Sequence, residues 1–307
     1  MKRIVTFLWL LAIAALAHAQ NAVSWVASTG NDSNTCVRTS PCRTFAVAVD
    51  KTIFNGTVRA VDASDYGTLT ISKSLIIDGG DSGAFIGGIG GDALTITPGP
   101  ADNVTIRNLA IYVGTAPFNG IVMYLASTAT VNIENVSIAT VINSYGIIVN
   151  SNGSDNGSET LVNLRNVNIN GRGSGVSMYV GQLTADRLSA NTKVNALLLA
   201  GKWLSATIRD SVFHAPNGSA LNISSDINSQ NPKSLMIEHC ELGHSGGGLS
   251  VYQAAQAPPL TVRLSNTLFS NNMVGIVQDG GTVISYRNNV FAGNLSDGNP
   301  PLSASLK

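Results

Sequence analysis

The sequence predicts an all-β fold, a single-stranded right-handed parallel β-helix solenoid with a short N-terminal capping helix. The first observation behind this prediction is a recurring phrase in which apolar residues alternate with polar ones on both sides of an asparagine. Period-two alternation is the signature of a β-strand, and a repeat of roughly 20–50 residues indicates stacked supersecondary units. The phrases are centred, at intervals of 21 to 31 residues, on Asn108, Asn135, Asn166, Arg187, Asp210, His239, Asn266 and Asn288.

A second short strand follows each of these anchor positions and begins at a small residue. The repeat has no room for a helix, so one coil consists of two or three short strands and their turns. Connections between parallel strands are overwhelmingly right-handed, which sets the expected handedness. About eight to ten coils would enclose one continuous core, so we expect a single domain. The small residues are Gly120, Gly146, Gly175, Ala196, Ala220, Gly248 and Gly275.

Four segments are expected along the chain. Residues 1–19 have two basic residues, an apolar stretch and the cleavage pattern Ala17-His18-Ala19, which together indicate a signal peptide. The sequence therefore predicts a secreted protein, extracellular or periplasmic, without a membrane span. The other segments are an N-terminal cap over residues 20–56, the parallel β-helix over residues 57–293, and a C-terminal tail over residues 294–307 that leaves the last coil.

The cap is predicted to contain a strand, a polar loop and a helix. Ser40 and Pro41 are residue types preferred at the N-cap and at the first position of a helix. Phe45, Val49 and Ile53 would share one face of this helix. The helix would then cover the open end of the solenoid, where unpaired strand edges promote aggregation.

The three cysteines fit an oxidising compartment. Cys36 and Cys42 lie close together in the polar loop of the cap, and we expect them to form a disulfide. Two thiols without a neighbouring histidine make a poor metal site, so no metal ligands are predicted there. Cys240 falls in a column that faces the core, where a free cysteine acts as a small hydrophobic residue.

Composition excludes one class of partner. Charged residues make up 12% of the chain, hydrophobic residues 44%, and the formal net charge is zero. Binding to nucleic acid requires a concentrated basic face, and the sequence has no run of lysine and arginine. We therefore expect no nucleic-acid partner.

The stretch Trp25-Val26-Ala27-Ser28-Thr29-Gly30-Asn31-Asp32, followed by Pro41-Cys42-Arg43-Thr44-Phe45, resembles the opening of secreted right-handed β-helix proteins of the pectin-lyase-like superfamily. Together with the asparagine-anchored coils, this resemblance extends over most of the mature chain. It implies a fold shared by polysaccharide lyases, glycoside hydrolases, adhesins and proteins of unknown role.

None of the catalytic patterns of that superfamily is present in this sequence. Its lyases place clustered carboxylates for Ca²⁺ beside a basic residue, whereas the acidic residues here are scattered along the chain. Its hydrolases carry an Asn-Thr-Asp segment, adjacent aspartates and a His-Gly pair, none of which occurs here. Calcium stays compatible with the fold, but no calcium site and no cofactor is identified.

Stacked coils produce an outward column with alternating charge. Because neighbouring strands lie about 4.8 Å apart, each charge would have opposite charges above and below it. We interpret this alternation as control of the strand register, since a stripe that binds substrate would more plausibly carry one sign. The column consists of Arg107, Glu134, Arg165, Asp186, Arg209, Glu238, Ser265 and Arg287.

Three consecutive anchor positions lack asparagine: Arg187, Asp210 and His239. An aspartate between an arginine and a histidine would stay ionised and could orient the imidazole for proton transfer, which makes the three residues candidate catalytic groups. The alternative, which we favour, is that these coils bend differently and the three side chains point to water.

A second group of candidates lies just beyond the same bend. His214, Glu241 and His244 are one coil apart, and Lys202 and Trp203 lie nearby in the sequence, so all five are candidate substrate-binding residues. The resulting functional prediction is interaction with a polysaccharide or cell-surface glycan, without catalysis. A polysaccharide lyase or glycoside hydrolase with an atypical centre is the alternative. The oligomeric state stays open.

Overall fold

Short strands occupy most of the chain in a computed structural model, which describes residues 20–304 except residues 89, 115–116, 127, 142, 152–158, 226 and 228–230. The expected signal peptide, residues 1–19, lies outside the described residues. One helix, α1 (Phe45–Asp50), precedes the second strand. The strands are β1 (Asn21–Val26), β2 (Thr52–Ala60), β3 (Leu69–Ile71), β4 (Leu75–Asp78), β5 (Phe85–Gly88), β6 (Leu94–Ile96), β7 (Asn103–Val113), β8 (Ile121–Leu125), β9 (Thr130–Thr140), β10 (Tyr145–Ser151), β11 (Leu161–Gly171), β12 (Ser174–Asn191), β13 (Leu197–Arg209), β14 (Val212–His214), β15 (Ser219–Ser225), β16 (Lys233–Glu238), β17 (Glu241–Gly243), β18 (Gly247–Gln253), β19 (Leu260–Ser265), β20 (Leu268–Ser270), β21 (Val274–Asp279), β22 (Thr282–Ser285), β23 (Val290–Ala292), β24 (Ser296–Gly298) and β25 (Leu302–Ser303).

These strands stack into three parallel faces, and about nine coils form a right-handed parallel β-helix, which confirms the predicted fold class. Face A contains the segments before the anchors, in the order β1, β2, β4, β7, β9, β11, β12, β13, β16, β19, β22 and β25. Face B contains the segments after the anchors, in β5, β7, β9, β11, β12, β14, β17, β20 and β23. Face C is formed by β3, β6, β8, β10, β12, β13, β15, β18, β21 and β24.

Left-handed backbone at the anchor positions turns the chain from face A to face B. The seven anchors from Asn108 to Asn266 have φ angles between 47° and 58°. Asparagine tolerates this conformation, and its side chain bonds to the neighbouring coil: Asn135 Nδ2 donates to Asn108 Oδ1 (3.1 Å) and Asn166 Nδ2 to Asn135 Oδ1 (2.9 Å). We call this stack the asparagine ladder. In the last coil the left-handed residue is Arg287 rather than Asn288, because Ser285 pairs with Leu264 and the bend comes one residue early.

Small residues begin the face C strands because the coils approach closely there. A Cβ added to Gly120 would lie 2.5 Å from the carbonyl oxygen of Gly146 in the next coil. Inward valine, isoleucine and leucine side chains fill the interior, and each contributes about 1.5–3 kcal/mol when fully buried. Cys240 is buried among them, and burial raises the pKa of its thiol to about 11, so the thiol is unreactive at neutral pH.

The cap differs in detail from the sequence prediction. The N-cap of α1 is Thr44, whose Oγ1 accepts from Val47 N (3.4 Å), and not Ser40. The helix starts later because Cys42 continues extended backbone pairing with Trp25 and is joined to Cys36 by a disulfide. Ile53 belongs to β2 and is exposed, so it does not extend the helical face.

Both ends of the solenoid extend further than the sequence indicates. At the N-terminal end, β1 pairs in parallel with β2 and forms the first rung of face A. At the other end, β24 and β25 lie within the expected tail, residues 294–307, yet they pair with β21 and β22. Main-chain hydrogen bonds thus keep β24 and β25 on the solenoid, although their sequences lack the alternating apolar pattern. In the described part of the chain, no helix is long and apolar enough to cross a membrane.

Candidate functional site

The charged column on face A is in register from Arg107 to Ser265, but Arg287 is not part of it, because Arg287 takes the left-handed anchor position in the last coil. The column also contains two residues that sequence reasoning missed, Arg59 and Asp78, which precede Arg107 in the stack. The repeating phrase does not reveal them, because β2 ends one residue after Arg59 and β4 ends at Asp78, so neither strand continues past the bend as β7, β9 and β11 do. Ion pairs join Arg107 to Asp78 (2.9 Å), Arg165 to Glu134 (4.0 Å) and Arg209 to Glu238 (3.6 Å).

Asp78 is the best-satisfied member of this column. Its carboxylate accepts hydrogen bonds from Asn108 Nδ2, Gly80 N and Arg107 Nη2, each at 2.9 Å, and Arg59 Nε lies 3.8 Å away. Burial by itself raises the pKa of Asp78. The three hydrogen bonds and the charge of Arg107 outweigh burial and hold this pKa below its ordinary value. Asp78 therefore starts the asparagine ladder and anchors the charged column.

A groove opens on face A at the coil that contains Asp186. Arg165 pairs with the preceding coil and Arg209 with the following one, while Asp186 pairs with its chain neighbour Arg187 (3.5 Å). Neither Arg165 nor Arg209 therefore extends over the coil of Asp186. The groove has a volume of about 620 Å³. We call it the face A groove. Its neutral polar lining comes from Asn132, Asn163, Thr184 and Thr207, and its charged lining from Glu134, Arg165, Asp186, Arg209 and Asp210.

The three candidate catalytic residues stack on consecutive coils but do not form a cluster. Arg187 pairs with Asp186, and His239 Nδ1 lies 3.9 Å from the carboxylate of Glu238. All three side chains are exposed, and among the described residues no hydrogen bond or ion pair joins them to one another. These three coils bend as the asparagine coils do, with φ of 54°, 50° and 51°, so the expectation of a different bend is wrong. Arg187 and His239 pair with the acidic residues that precede them in the chain. Of the three, Asp210 alone lines the face A groove.

Replacing Arg187, Asp210 and His239 together with asparagine is expected to raise the free energy of unfolding by about 1–2 kcal/mol. Asparagine tolerates the left-handed bend and would connect the ladder between Asn166 and Asn266. Urea denaturation of the parent and the triple variant measures the difference. Asn135→Ala, which breaks the ladder in its intact part, should lower the midpoint. An unchanged or lower midpoint in the triple variant would contradict the prediction.

Trp203 is not part of a binding face, contrary to the sequence prediction. Its side chain is 1% exposed, its Nε1 donates to Ser224 O (3.1 Å), and Lys233 Nζ lies 5.1 Å from the ring centroid. The ring points inward because it continues the alternation along β13, in which Leu197 and Leu199 are also buried. Lys202, the neighbouring candidate, stays exposed.

The remaining candidates, His214, Glu241 and His244, do come together; we call them the His-Glu-His cluster. His214 ends β14, Glu241 begins β17, and His244 follows β17 in a left-handed bend with φ of 50°. The ligand atoms of all three lie within 4.8 Å of one another. His214 Nε2 is 3.6 Å from Glu241 Oε1, and the two imidazole rings meet edge to face at 5.0 Å. This arrangement could hold a metal ion.

Two supporting residues of this cluster were missed in the sequence. Ser270 Oγ donates to Glu241 Oε1 (3.1 Å), and Gly243 lies between His214 and Ser270 in the same column of face B. Stacking the face B strands in register would have aligned these two residues. The face B strands of these coils have three residues each, too few to show the alignment as a sequence pattern.

Comparison with known proteins supports the fold and assigns no family. The structure is similar to the crystal structure of pectate lyase Pel9A, with a TM-score of 0.55, 13% sequence identity, and coverage of 94% of this chain and 79% of that chain. No protein-family model and no curated protein sequence matches the chain. At this level of identity the similarity shows a shared β-helix architecture, and residue roles do not transfer.

Proposed function

We propose that the protein is a secreted β-helix that binds a polysaccharide or cell-surface glycan along face A without cleaving it. The observation that carries this proposal is the face A groove, which presents side-chain amides, hydroxyls and both signs of charge over successive coils. Secretion is inferred from the signal-peptide features of residues 1–19. The β-helix architecture shared with pectate lyase Pel9A is consistent with a carbohydrate ligand.

The groove suits an extended polymer that runs parallel to the solenoid axis. Rungs repeat about every 4.8 Å, a distance comparable with the length of one pyranose unit, so successive sugars could meet equivalent positions. Asn163 Nδ2 donates to Asn132 Oδ1 (2.9 Å), which leaves acceptor lone pairs on both amide oxygens for a ligand, and Thr184 and Thr207 provide hydroxyls that donate and accept. Sugar hydroxyl groups need such mixed partners, since each donates and accepts hydrogen bonds.

Charge in the groove favours a neutral or mixed polymer over a polyuronate. Arginines at 165 and 209 are matched by acidic residues at 134, 186 and 210, so the lining has no net positive charge. Binding of a uniformly anionic chain would be opposed by these carboxylates. The catalytic alternative, a lyase or hydrolase centred on Arg187, Asp210 and His239, has weaker support because these side chains diverge.

Thr184→Tyr provides a direct test, because Thr184 is exposed on the groove floor and tyrosine is well tolerated in strands. We expect the parent to bind at least one polymer of a panel of neutral and acidic polysaccharides, measured by affinity electrophoresis, without releasing products. Thr184→Tyr should weaken binding at least tenfold. The matched control is Thr261→Tyr, which adds the same ring to face A outside the groove and should bind like the parent.

The outcomes separate binding from catalysis. Polymer binding that is equal in the parent and in Thr184→Tyr would exclude the groove as the binding site. Absence of binding to the whole panel would oppose the carbohydrate proposal. Release of products by the parent, lost in the folded triple asparagine variant at 187, 210 and 239, would support the enzyme alternative instead.

A further inference from the structure

We propose that His214, Glu241 and His244 bind a divalent transition-metal ion, with Zn²⁺ as the expected ligand. Two imidazoles and one carboxylate are a ligand set that suits Zn²⁺. Two ligand atoms about 2.1 Å from a tetrahedral ion are about 3.4 Å apart. His214 Nε2 and Glu241 Oε1, at 3.6 Å, are close to that separation. The ligand atoms of all three residues lie within 4.8 Å of one another, so a small rotation of the exposed His244 side chain completes the site.

An unsatisfied nitrogen points independently to a ligand. His214 Nε2 is shielded from solvent and has no hydrogen-bond partner among the described residues. A buried polar atom without a partner is unfavourable and is rare in native structures. The carboxylate oxygen at 3.6 Å is beyond hydrogen-bond distance. A metal ion between the two atoms would satisfy both.

Gly243 leaves the space that the Glu241 carboxylate and the Ser270 hydroxyl occupy beside the proposed ion. It lies between His214 and Ser270 in the stacked strands β14, β17 and β20. A Cβ at this position would lie 2.5 Å from Ser270 Oγ and 3.2 Å from Glu241 Oε1. A side chain there would therefore displace the carboxylate and the serine. The hydrogen bond from Ser270 Oγ (3.1 Å) orients the carboxylate, as outer-shell groups do at metal sites.

His244 occupies a bend that does not require histidine. The corresponding left-handed positions in the next two coils are Asn271 and Gly293, with φ of 53° and 69°. Backbone conformation therefore does not explain the imidazole at 244. Its ring meets the ring of His214 edge to face and is exposed to solvent, so an ion could enter from that side. A solvent-facing site with three protein ligands retains a coordination position for water or another ligand.

The same ligand set disfavours calcium. Ca²⁺ takes six to eight oxygen ligands, whereas this cluster provides a single carboxylate beside two nitrogen donors. Imidazole suits Zn²⁺, Cu²⁺ and Ni²⁺ instead. The proposed site thus differs in chemistry from the carboxylate clusters that bind calcium, and it lies on face B, away from the face A groove.

Isothermal titration of the tag-free mature protein with ZnCl₂ at neutral pH tests the proposal. We expect saturable binding of one ion per chain and no saturable heat with CaCl₂. His244→Asn, which the left-handed bend accepts, should lower the affinity at least tenfold. His239→Asn is the matched control, because it removes another exposed histidine from a left-handed bend and should leave the affinity unchanged.

Co²⁺ gives a second readout that depends on coordination rather than stability. Titration with CoCl₂ should produce the visible absorption of a tetrahedral or five-coordinate ion in the parent and in His239→Asn. The absorption should be lost in His214→Gln, checked for folding by circular dichroism. Absence of saturable Zn²⁺ binding to the parent would overturn the proposal. Equal Zn²⁺ affinity in His244→Asn and the parent would also overturn it. A loss of Zn²⁺ affinity in His239→Asn as large as that in His244→Asn would do the same.

Discussion

Trp203→Ala is expected to lower the free energy of unfolding by about 3–5 kcal/mol, the usual cost of removing a large buried aromatic side chain. The indole is 1% exposed and its Nε1 donates to Ser224 O, so its removal leaves a cavity and takes away one of the two donors of that carbonyl oxygen; the other donor is Lys233 Nζ (3.2 Å). Lys233, itself buried, would also lose the ring beneath its ammonium group. Urea denaturation followed by circular dichroism gives the midpoint for the parent and the variant.

Trp203→Phe separates packing from hydrogen bonding at this position. Phenylalanine keeps an aromatic ring near Lys233 but loses the bond from Nε1, so a smaller loss of about 1–2 kcal/mol is expected. Coils of a solenoid can unfold separately, and comparison of midpoints and of transition widths detects this behaviour. If Trp203→Ala kept the parent's midpoint but lost glycan binding, Trp203 would be a ligand-binding residue after all.

Trp203 lies where the alternation along β13 still predicts burial. Leu197, Leu199 and Trp203 are all buried at positions of the same parity, so the period-two pattern by itself directs the indole inward and Lys202 outward. The sequence prediction grouped Trp203 with Lys202 by proximity and residue type instead. The pattern becomes uninformative after Trp203, because the pairing of β12 and β13 shifts before Ser205, and Ala206 and Ile208 are then the buried positions.

The coils themselves could be predicted because one pattern is repeated many times. The anchors recur in sequence, and the structure places left-handed backbone at each one from Asn108 to Asn266. The sequence also placed His214 one coil from Glu241 and His244, and these three meet. Arg187, Asp210 and His239 stack as the spacing indicates, but side-chain direction depends on local ion pairs with Asp186 and Glu238. Spacing gives the neighbours of a residue along the solenoid axis and not the direction of its side chain.

The supporting parts of the His-Glu-His cluster could not be found in the same way. Gly243 matters through the atoms that a Cβ would displace, which belong to Ser270 in the next coil and to Glu241. Twenty-nine residues separate Ser270 from Glu241, and their hydrogen bond depends on the exact pairing of β17 with β20. Chemistry of this kind is determined by register across coils, which loops of variable length conceal in the sequence.

Asp78→Ala is expected to destabilise the protein by about 2–4 kcal/mol at neutral pH, because it removes the acceptor at the start of the asparagine ladder and the carboxylate between Arg59 and Arg107 in the charged column. Asn108 Nδ2, Gly80 N and Arg107 Nη2 would each lose a bond of 2.9 Å. Asp78→Asn retains an acceptor oxygen for Asn108 and should cost less. Asp81→Asn, an exposed change in the same turn, is the control and should leave the urea midpoint unchanged.

The dependence on pH tests whether the charge of Asp78 contributes to this stability. The pKa of Asp78 is lower in the folded chain than in the unfolded chain, so the unfolded state binds the proton more readily. The contribution is therefore complete above the unfolded-state pKa of about 3.9 and is lost as the pH falls through the lower folded-state value. The difference in unfolding free energy between the parent and Asp78→Asn should consequently shrink across that acidic window. If the difference in unfolding free energy stayed constant from neutral pH through this window, the charge of Asp78 would not contribute to stability, and its effect would come from shape and hydrogen bonds.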